Sequence, residues 1–304
     1  MEKKKALILV NPRSGRIVAR QLAFSFGQDF KGSEYEPFIR MTTCPRDATD
    51  VAERLAPRFD LVVCRGGDGT LNETINGVIR SGADVPIGYI PAGTTNDFAK
   101  SNGLPFNAEE AIRVILEGEP VAQDVGLFGE ERYFCYTASF GMFTRSSYAT
   151  DQRIKNRFGY AAYLAAGAKE VFHIEKYPLR VTADGVTYEG EYIFGSVTNA
   201  YAVGGGVLKF DRDKVRFDDG LMELVLIKKP DSLSDLVKLF TGLQKGVLDE
   251  RYITVVPGKV FLFEFLDRDV PWTLDGEYGG ATREVAIQCI PGGFRIIKQK
   301  EAEA

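Results

Sequence analysis

Histidine is nearly absent from this chain, and cysteine is scarce. The 304 residues include one histidine, His173 in EVFHIEK, and four cysteines, at positions 44, 64, 135 and 289. No two cysteines form a C-x-x-C pair, so the spacing typical of zinc sites and dithiol redox centres is excluded. No G-x-S-x-G motif or Cys–His pairing offers a nucleophile, and His173, near the end of a predicted helix, is interpreted as a structural polar residue. Carboxylates remain the side chains best suited to chemistry.

Long apolar runs and an excess of positive charge are also missing. The longest apolar stretch, FGYAAYLAAGA at 158–168, is shorter than the roughly 20 residues of a membrane-spanning helix. No signal-peptide pattern precedes the first predicted strand, which together with the scattered cysteines predicts a cytoplasmic protein. The net charge of −4 provides no overall attraction to nucleic acid or anionic lipid. We therefore expect no nucleic-acid partner and only transient, peripheral contact with the inner face of the membrane.

One local basic run, from Arg153 to Arg157, is followed by Phe158 and Tyr160. We interpret this run as a solvated face, and a membrane-surface role stays the alternative.

The first part of the chain has the pattern of an α/β domain. From Lys5 to about residue 122, short apolar runs alternate with helix-length amphipathic segments, which predicts a sheet of parallel strands. The predicted strands are KALILV, EPFIRM, FDLVVC and VPIGYI, at 5–10, 36–41, 59–64 and 85–90. Helices are predicted to begin near Gly15, Asp47, Asn72 and Asn107, and the second is expected to be capped by Asp47 or Thr43.

Beyond Asp124 the pattern changes to closely spaced strand-like runs. These runs predict an antiparallel sandwich or barrel, with helices over 157–172 and 232–247. The expected domains are 1–123, to which the tail from about 291 to 304 can return, and 124–304. No low-complexity linker separates them, so we expect closely joined domains with a cleft between. The runs are YFCYTASF, VTYEGEYIFGSVT, LMELVLI, KVFLFEF and FRIIKQ.

A glycine-rich segment, VVCRGGDGTLNETINGV at 62–78, matches neither familiar phosphate loop. A Walker A loop needs Lys and Ser or Thr after its last glycine, but Gly69 is followed by Thr70. A dinucleotide fingerprint counted from Gly67 has Asn72 where its third glycine belongs. A glycine turn that leads into a helix is nevertheless suited to anions, since glycine tolerates positive φ and helix N-termini present free N–H groups.

Three polar loops are predicted to gather at one edge of the α/β sheet. They follow the first, third and fourth predicted strands, at 11–15, 66–70 and 91–97, and ligands of such sheets bind at the carboxyl ends of strands. An aspartate beside a glycine is usually a turn residue, but three D-G turns together favour Mg²⁺ binding and phosphoryl transfer. The candidate acidic residues are Asp68, Asp97, Asp124, Asp218, Asp219, Asp275 and Glu277.

Six motifs carry a resemblance to a known family. They are NPRSG at 11–15, GGDGTLNE at 66–73, IPAGTTNDFA at 90–99, DVG at 124–126, DDG at 218–220 and DGEYGG at 275–280. In these motifs, and over nearly its whole length, the chain resembles soluble bacterial diacylglycerol kinases and related lipid and sphingosine kinases. The resemblance implies a Rossmann-like, NAD kinase-like α/β domain, a mainly antiparallel β-sandwich domain that receives the lipid, and an active site between them.

The resemblance also implies an activity and roles for individual residues. The activity is ATP-dependent phosphorylation of diacylglycerol or a similar lipid alcohol, with Asp275 as the base and Glu277 beside it. Asp68, Asp97 and Asp124 would form a carboxylate network around the Mg²⁺ of the nucleotide. Asp219 and the carbonyl oxygens of Arg216 and Leu221 would hold a second, structural Mg²⁺. The ATP site would include Asn11, Pro12, Arg13, Ser14, Gly15, Thr42, Gly67, Asp68, Gly69, Thr70, Leu71, Asn72, Glu73 and Thr94.

Four points remain open from the sequence. Arg65 precedes the glycines where a small residue is expected; we expect its side chain to point to solvent, and a phosphate contact is the alternative. The acceptor could be diacylglycerol, monoacylglycerol, a sphingoid base or a polyprenol, because each presents a primary alcohol on an apolar chain. An NAD kinase and a catalytically silent nucleotide-binding regulator are the alternative functions. A homodimer is the default oligomer.

Overall fold

The apolar runs of the sequence form strands in the computed structural model, which describes residues 3–12, 26–142, 144, 175–203, 208–209, 215–230, 232–244 and 247–300. The strands, in chain order, are β1 (Lys4–Val10), β2 (Tyr35–Met41), β3 (Leu61–Gly66), β4 (Ile87–Pro91), β5 (Glu119–Phe128), β6 (Arg132–Phe134), β7 (Thr137–Gly141), β8 (Tyr177–Ala183), β9 (Val186–Thr198), β10 (Ala202–Val203), β11 (Leu208–Lys209), β12 (Met222–Lys228), β13 (Ile253–Gly258), β14 (Val260–Phe265), β15 (Val270–Leu274), β16 (Glu277–Thr282) and β17 (Glu284–Lys298). The helices are α1 (Asp47–Leu55), α2 (Asp68–Arg80), α3 (Asp97–Asn102), α4 (Ala108–Glu117) and α5 (Leu233–Gln244), with a 3-10 turn at Ala56–Arg58.

The chain divides into two compact units, which we call the terminal unit (residues 1–125 and 291–304) and the central unit (residues 126–290). In the terminal unit, β1 pairs in parallel with β2 and β3, and β3 pairs in parallel with β4. The end of β17 adds a further parallel pairing, at Ile296 and Ile87. β1 and β3 are buried for most of their length, as expected for parallel strands covered on both faces. The predicted α/β fold of this part is confirmed.

The central unit is built from antiparallel strands. β9 pairs with β7, β8 and β12, while β14 pairs with β8 and β15 pairs with β7 and β16. One face of these strands packs an aromatic core around Phe140, Phe265 and Trp272, and the ring centroids of Phe140 and Phe265 are 4.9 Å apart. On the other face, the apolar residues of α5 pack on β9 and β12. The predicted antiparallel architecture is confirmed.

One helix start and one helix cap differ from the sequence prediction. The helix expected near Asn72 begins at Asp68, directly after the extended residue Gly67. Glycine and threonine have low helix propensity, so the prediction placed the start too late. The first turn tolerates both residues because its N–H groups have no intrahelical partners. α1 has Arg46 as its N-cap residue and no side-chain cap, so the capping prediction was wrong.

The Asp47 carboxylate instead accepts hydrogen bonds from the N–H and hydroxyl of Thr43, at 2.7 and 2.9 Å.

The helix predicted over 232–247 is α5, Leu233–Gln244. The predicted helix start near Gly15, the predicted helix over 157–172 and the basic run after Arg153 lie outside the described residues. Within the described ranges, no helix combines the length and apolar character that a bilayer-spanning segment requires.

Candidate functional site

The loops after β1, β3 and β4 meet at one edge of the sheet in the terminal unit. The side-chain amide of Asn11 donates a hydrogen bond to the Thr70 hydroxyl at 3.0 Å. The Ala92 N–H donates to the Gly66 carbonyl at 2.8 Å. A Cβ atom added to Gly93 would lie 2.5 Å from the Cα of Gly67, so only glycine permits this approach of two backbones. The predicted gathering of these loops is therefore present in the structure.

Helix α2 starts at this junction. Its N-cap residue, Gly67, has no side chain that could cap the helix. The first intrahelical bond runs from the Leu71 N–H to the Gly67 carbonyl at 3.0 Å. The N–H groups of the first turn have no intrahelical partner and carry the positive end of the helix dipole. A helix N-terminus with glycine at the cap is suited to a phosphate group.

Asp68 connects the glycine loop to the loop after β4. Its carboxylate accepts hydrogen bonds from the Asp97 N–H at 3.0 Å, the Phe98 N–H at 3.1 Å and the Thr95 hydroxyl at 3.1 Å. Asn96 closes the same loop, because its side chain both accepts from the Gly93 N–H and donates to the Gly93 carbonyl. Asp68 thus orders the start of α3 in addition to any contact with a ligand.

The other residues predicted for the nucleotide site occupy varied environments. Thr94 is exposed, whereas the Leu71 side chain is buried in the core. Glu73 accepts a hydrogen bond from the Arg46 N–H at 2.9 Å, and the Thr42 N–H donates to the Val10 carbonyl at 2.9 Å. Gly69 and Asn72 belong to the first turns of α2, and Pro12 directly follows Asn11. Arg13, Ser14 and Gly15 lie outside the described residues.

The two remaining acidic residues predicted for the terminal unit differ in exposure. Asp97 carries a half-exposed carboxylate that pairs with Lys100 at 3.0 Å. Asp124 is buried, and its Oδ1 atom accepts a hydrogen bond from the Gly292 N–H at 2.8 Å. Asp124 therefore attaches the returning tail of the chain to β5.

The expectation that Arg65 points to solvent was wrong. Arg65 is the fifth residue of β3, between Val10 of β1 and Ile90 of β4, and only 7% of its surface is exposed. Burial lowers the pKa of its guanidinium from the usual value. Its central position in the sheet, with a strand on each side, explains the burial.

Asp275 lies in a D-G turn of the central unit. Its φ of 48° is in the left-handed region, Gly276 follows at 86°, and the residue is 5% exposed. Its carboxylate accepts hydrogen bonds from the N–H groups of Cys135, Tyr136 and Thr137, at 2.7, 3.0 and 3.0 Å. The three donors hold the group as a hydrogen-bond acceptor in a fixed orientation. Glu277, at the start of β16, is exposed.

The D-D-G loop of the central unit contains the residues predicted to hold a structural metal. Asp219 Oδ1 accepts a hydrogen bond from the Leu221 N–H at 3.0 Å, and the guanidinium of Arg216 lies 3.6 Å from Asp218. Among the described residues, no group of three or more His, Cys, Asp or Glu side chains converges on one point. Carbonyl oxygens would therefore have to complete a site here, as the prediction from the resemblance has it.

Sequence reasoning missed Glu223 in this region. Its Oε2 atom is buried without a hydrogen-bond partner. Burial, with the negative charge of Asp219 as a further contribution, raises the pKa of Glu223 to about 7. The signal in the sequence is a lone acidic residue within the apolar strand LMELVLI. Two negatively charged carboxylates that repel each other are suited to a cation that prefers oxygen ligands.

Comparison with known proteins identifies the class of protein. The model of the diacylglycerol kinase catalytic domain matches residues 5–128, and that of the YegS C-terminal NAD kinase beta sandwich-like domain matches residues 137–298. Diacylglycerol kinase of Bacillus subtilis (strain 168) is 32% identical over 281 residues, which are 91% of each chain. Diacylglycerol kinase of Staphylococcus carnosus (strain TM300) is 31% identical over 303 residues, covering 98% of this chain and 94% of the other.

A solved structure gives the same result. The crystal structure of a putative diacylglycerol kinase from Bacillus anthracis str. Sterne superposes with a TM-score of 0.79 at 25% identity, covering 98% of each chain. The chain has the fold of this group, an α/β domain with parallel strands and an antiparallel β-sandwich domain. It belongs to the diacylglycerol kinase family and is, at the level of the family, a lipid kinase.

Proposed function

We propose that this protein transfers the γ-phosphoryl group of ATP to the hydroxyl of diacylglycerol or a similar lipid alcohol, giving phosphatidic acid and ADP. The observation that carries the proposal is the junction of three loops at the uncapped N-terminus of α2, in a chain whose relatives are named diacylglycerol kinase. Phosphoryl transfer requires amide donors for phosphates, a metal ion and a group that orients the attacking hydroxyl.

The nucleotide is proposed to bind at the loop junction. Backbone N–H groups from Gly67 to Thr70 would hold its phosphates, with Asn11 and Thr94 at the sides of the site. This arrangement uses glycine turns and a helix dipole where a P-loop would use a lysine. The close approach of Gly67 and Gly93 supports it, because it keeps side chains away from the backbone donors.

Asp275 is proposed to orient the lipid hydroxyl and to accept its proton late in the reaction, with Glu277 nearby. A carboxylate is a weak base for an alcohol, so orientation is its main contribution. In the transfer, the bond between the γ-phosphorus and the β–γ bridging oxygen breaks, a bond to the lipid oxygen forms, and ADP leaves. The three backbone donors to Asp275 support this role by fixing its direction.

Mg²⁺ is proposed as the cofactor. Bound with the nucleotide, it would supply charge neutralisation at the transferred group. No three described acidic side chains converge on one point, so Asp68, Asp97 and Asp124 would act on the ion singly or through water molecules. Each ionised carboxylate has about four acceptor positions, so the hydrogen bonds to Asp68 leave room for further contacts. Asp219 and the carbonyl oxygens of Arg216 and Leu221 would hold the structural ion, and the unpartnered oxygen of Glu223 supports a cation there.

The test is a phosphorylation assay with labelled ATP and Mg²⁺ in two arms. One arm supplies mixed micelles of detergent with diacylglycerol, monoacylglycerol, a sphingoid base or a polyprenol, and the other supplies NAD. Label in phosphatidic acid is the expected result, and label only in NADP, or in neither arm, would reject the proposal. Vesicle flotation tests the predicted membrane contact. Sedimentation equilibrium tests the predicted homodimer.

A further inference from the structure

A buried arginine occupies the end of β3, one residue before the glycine loop. Strand residues alternate between the two faces of a sheet, so Arg65 shares a face with Val63, in the apolar cluster that includes Val10 and Ile90. The carbonyl of Arg65 accepts a hydrogen bond from the Asn11 N–H at 3.0 Å. The side chain therefore starts at the edge where the loops after β1, β3 and β4 meet.

Only 7% of the surface of Arg65 is exposed, although its guanidinium nitrogens are not among the described side-chain atoms that are both fully buried and without a hydrogen-bond partner. Burial is the sole cause that lowers its pKa, with no carboxylate acting in the opposite direction. An arginine stays charged inside a protein, and a buried charge without a partner is costly. The mostly buried Arg65 therefore brings a positive charge, with no described carboxylate acting on it, to the sheet edge, where an anion would be stabilised.

The acidic residues of the neighbouring loops are already engaged. The Asp68 carboxylate accepts from the N–H groups of Asp97 and Phe98 and from Thr95. The Asp97 carboxylate pairs with Lys100. Among the described side chains, none supplies a negative charge to Arg65, and a bound ligand would be able to supply one.

We propose that Arg65 binds a phosphate group of the nucleotide. The inference rests on the proposed function, which places a nucleotide at the same sheet edge. A guanidinium offers several fixed N–H donors that match the geometry of phosphate oxygens, and it would add a full charge to the partial charge of the α2 N-terminus. The shared chemistry is a phosphoryl oxyanion, which either a nucleotide or free phosphate can present.

The experiment measures binding by the full-length chain with three variants. Arg65→Met removes the charge and keeps much of the side-chain length, Arg65→Lys keeps a charge but loses the planar donor pattern, and Arg58→Met is the control. Arg58 is exposed and lies before the opposite end of β3, so its removal changes the net charge equally. Isothermal titration gives the dissociation constants of ATP, tripolyphosphate and inorganic phosphate.

Arg65→Met is expected to weaken ATP binding about 10- to 100-fold, the usual effect of losing a hydrogen bond to a charged group. Arg65→Lys is expected to lose less, and Arg58→Met less than twofold. The Tm of the ligand-free protein is expected to rise in Arg65→Met, because the charge of a mostly buried side chain has been removed.

ATP affinity within twofold of wild type in Arg65→Met would overturn the inference, and if that variant does not fold, unchanged affinity in Arg65→Lys would do so. Loss of affinity for inorganic phosphate with retained affinity for ATP would also overturn it, since the anion would then be free phosphate. A wild-type protein that phosphorylates no lipid would defeat the proposed function alone. The inference would still stand if ATP binding depended on Arg65.

Discussion

Replacing Glu223 by glutamine should remove a pH-dependent loss of stability. Glu223 has its pKa raised from 4.5 to about 7, with burial as the main cause. In the folded state it therefore holds a proton that the unfolded chain releases between these two values. The stability that this bound proton contributes is fully present below pH 4.5 and is lost as the pH rises through 7.

The size of the effect follows from the shift. One pKa unit corresponds to about 1.4 kcal/mol, so the charged Glu223 lowers the free energy of unfolding by up to about 3 kcal/mol above pH 7. Glutamine has nearly the same shape and no charge. At pH 5 the variant and wild type should have similar stability, and at pH 8 the variant should be more stable by up to about 3 kcal/mol.

The assay is urea denaturation at pH 5, 6, 7 and 8 with EDTA, which keeps a divalent cation from compensating the charge. Glu284→Gln serves as the control, because Glu284 is an exposed strand residue of the same unit and its substitution should give no pH-dependent difference. Parallel stability curves for Glu223→Gln and wild type over the whole pH range would refute the reasoning.

Three further predictions concern the loops. Gly93→Ala should lower stability by about 1–3 kcal/mol in chemical denaturation because its Cβ would meet the neighbouring loop, whereas Gly27→Ala, which meets nothing within 4 Å, should be neutral. Asp219→Ala should abolish a rise in Tm with Mg²⁺, a rise worth about 2.7 kcal/mol at 100 times the dissociation constant; a wild-type Tm unaffected by Mg²⁺ would count against the structural metal. Asp275→Asn should abolish phosphoryl transfer and leave ATP binding nearly intact in titration, while Asp184→Asn, in another D-G turn whose carboxylate accepts two backbone N–H groups, should stay active. Equal activity of the two asparagine variants would reduce Asp275 to a turn residue.

Local patterns predicted the elements well. The burial of β1 and β3, the alternation of strands with helices up to residue 122 and the closely spaced strands beyond Asp124 follow from side-chain periodicity, which depends on near neighbours in the chain. The carboxyl ends of parallel strands share one edge of a sheet, so the meeting of the loops also followed from the order of the strands.

Partners distant in sequence were harder to predict. The carboxylate of Asp275 is held by N–H groups about 140 residues earlier in the chain, and no local pattern records that contact. The start of α2 was misplaced by propensity, because the benefit of the turn at Gly67 comes from its contact with Gly93 on another loop.

The sequence by itself determined the class of fold, the family and the positions of the glycine and aspartate turns, since these depend on periodicity and on motifs in order. Tertiary structure alone decided that Arg65 is mostly buried with no described carboxylate acting on it, that Asp68 holds the start of α3 and that the negative charge of Asp219 acts on Glu223. The physical reason is that burial and charge pairing are set by the strands and loops packed around a residue, which lie far from it along the chain.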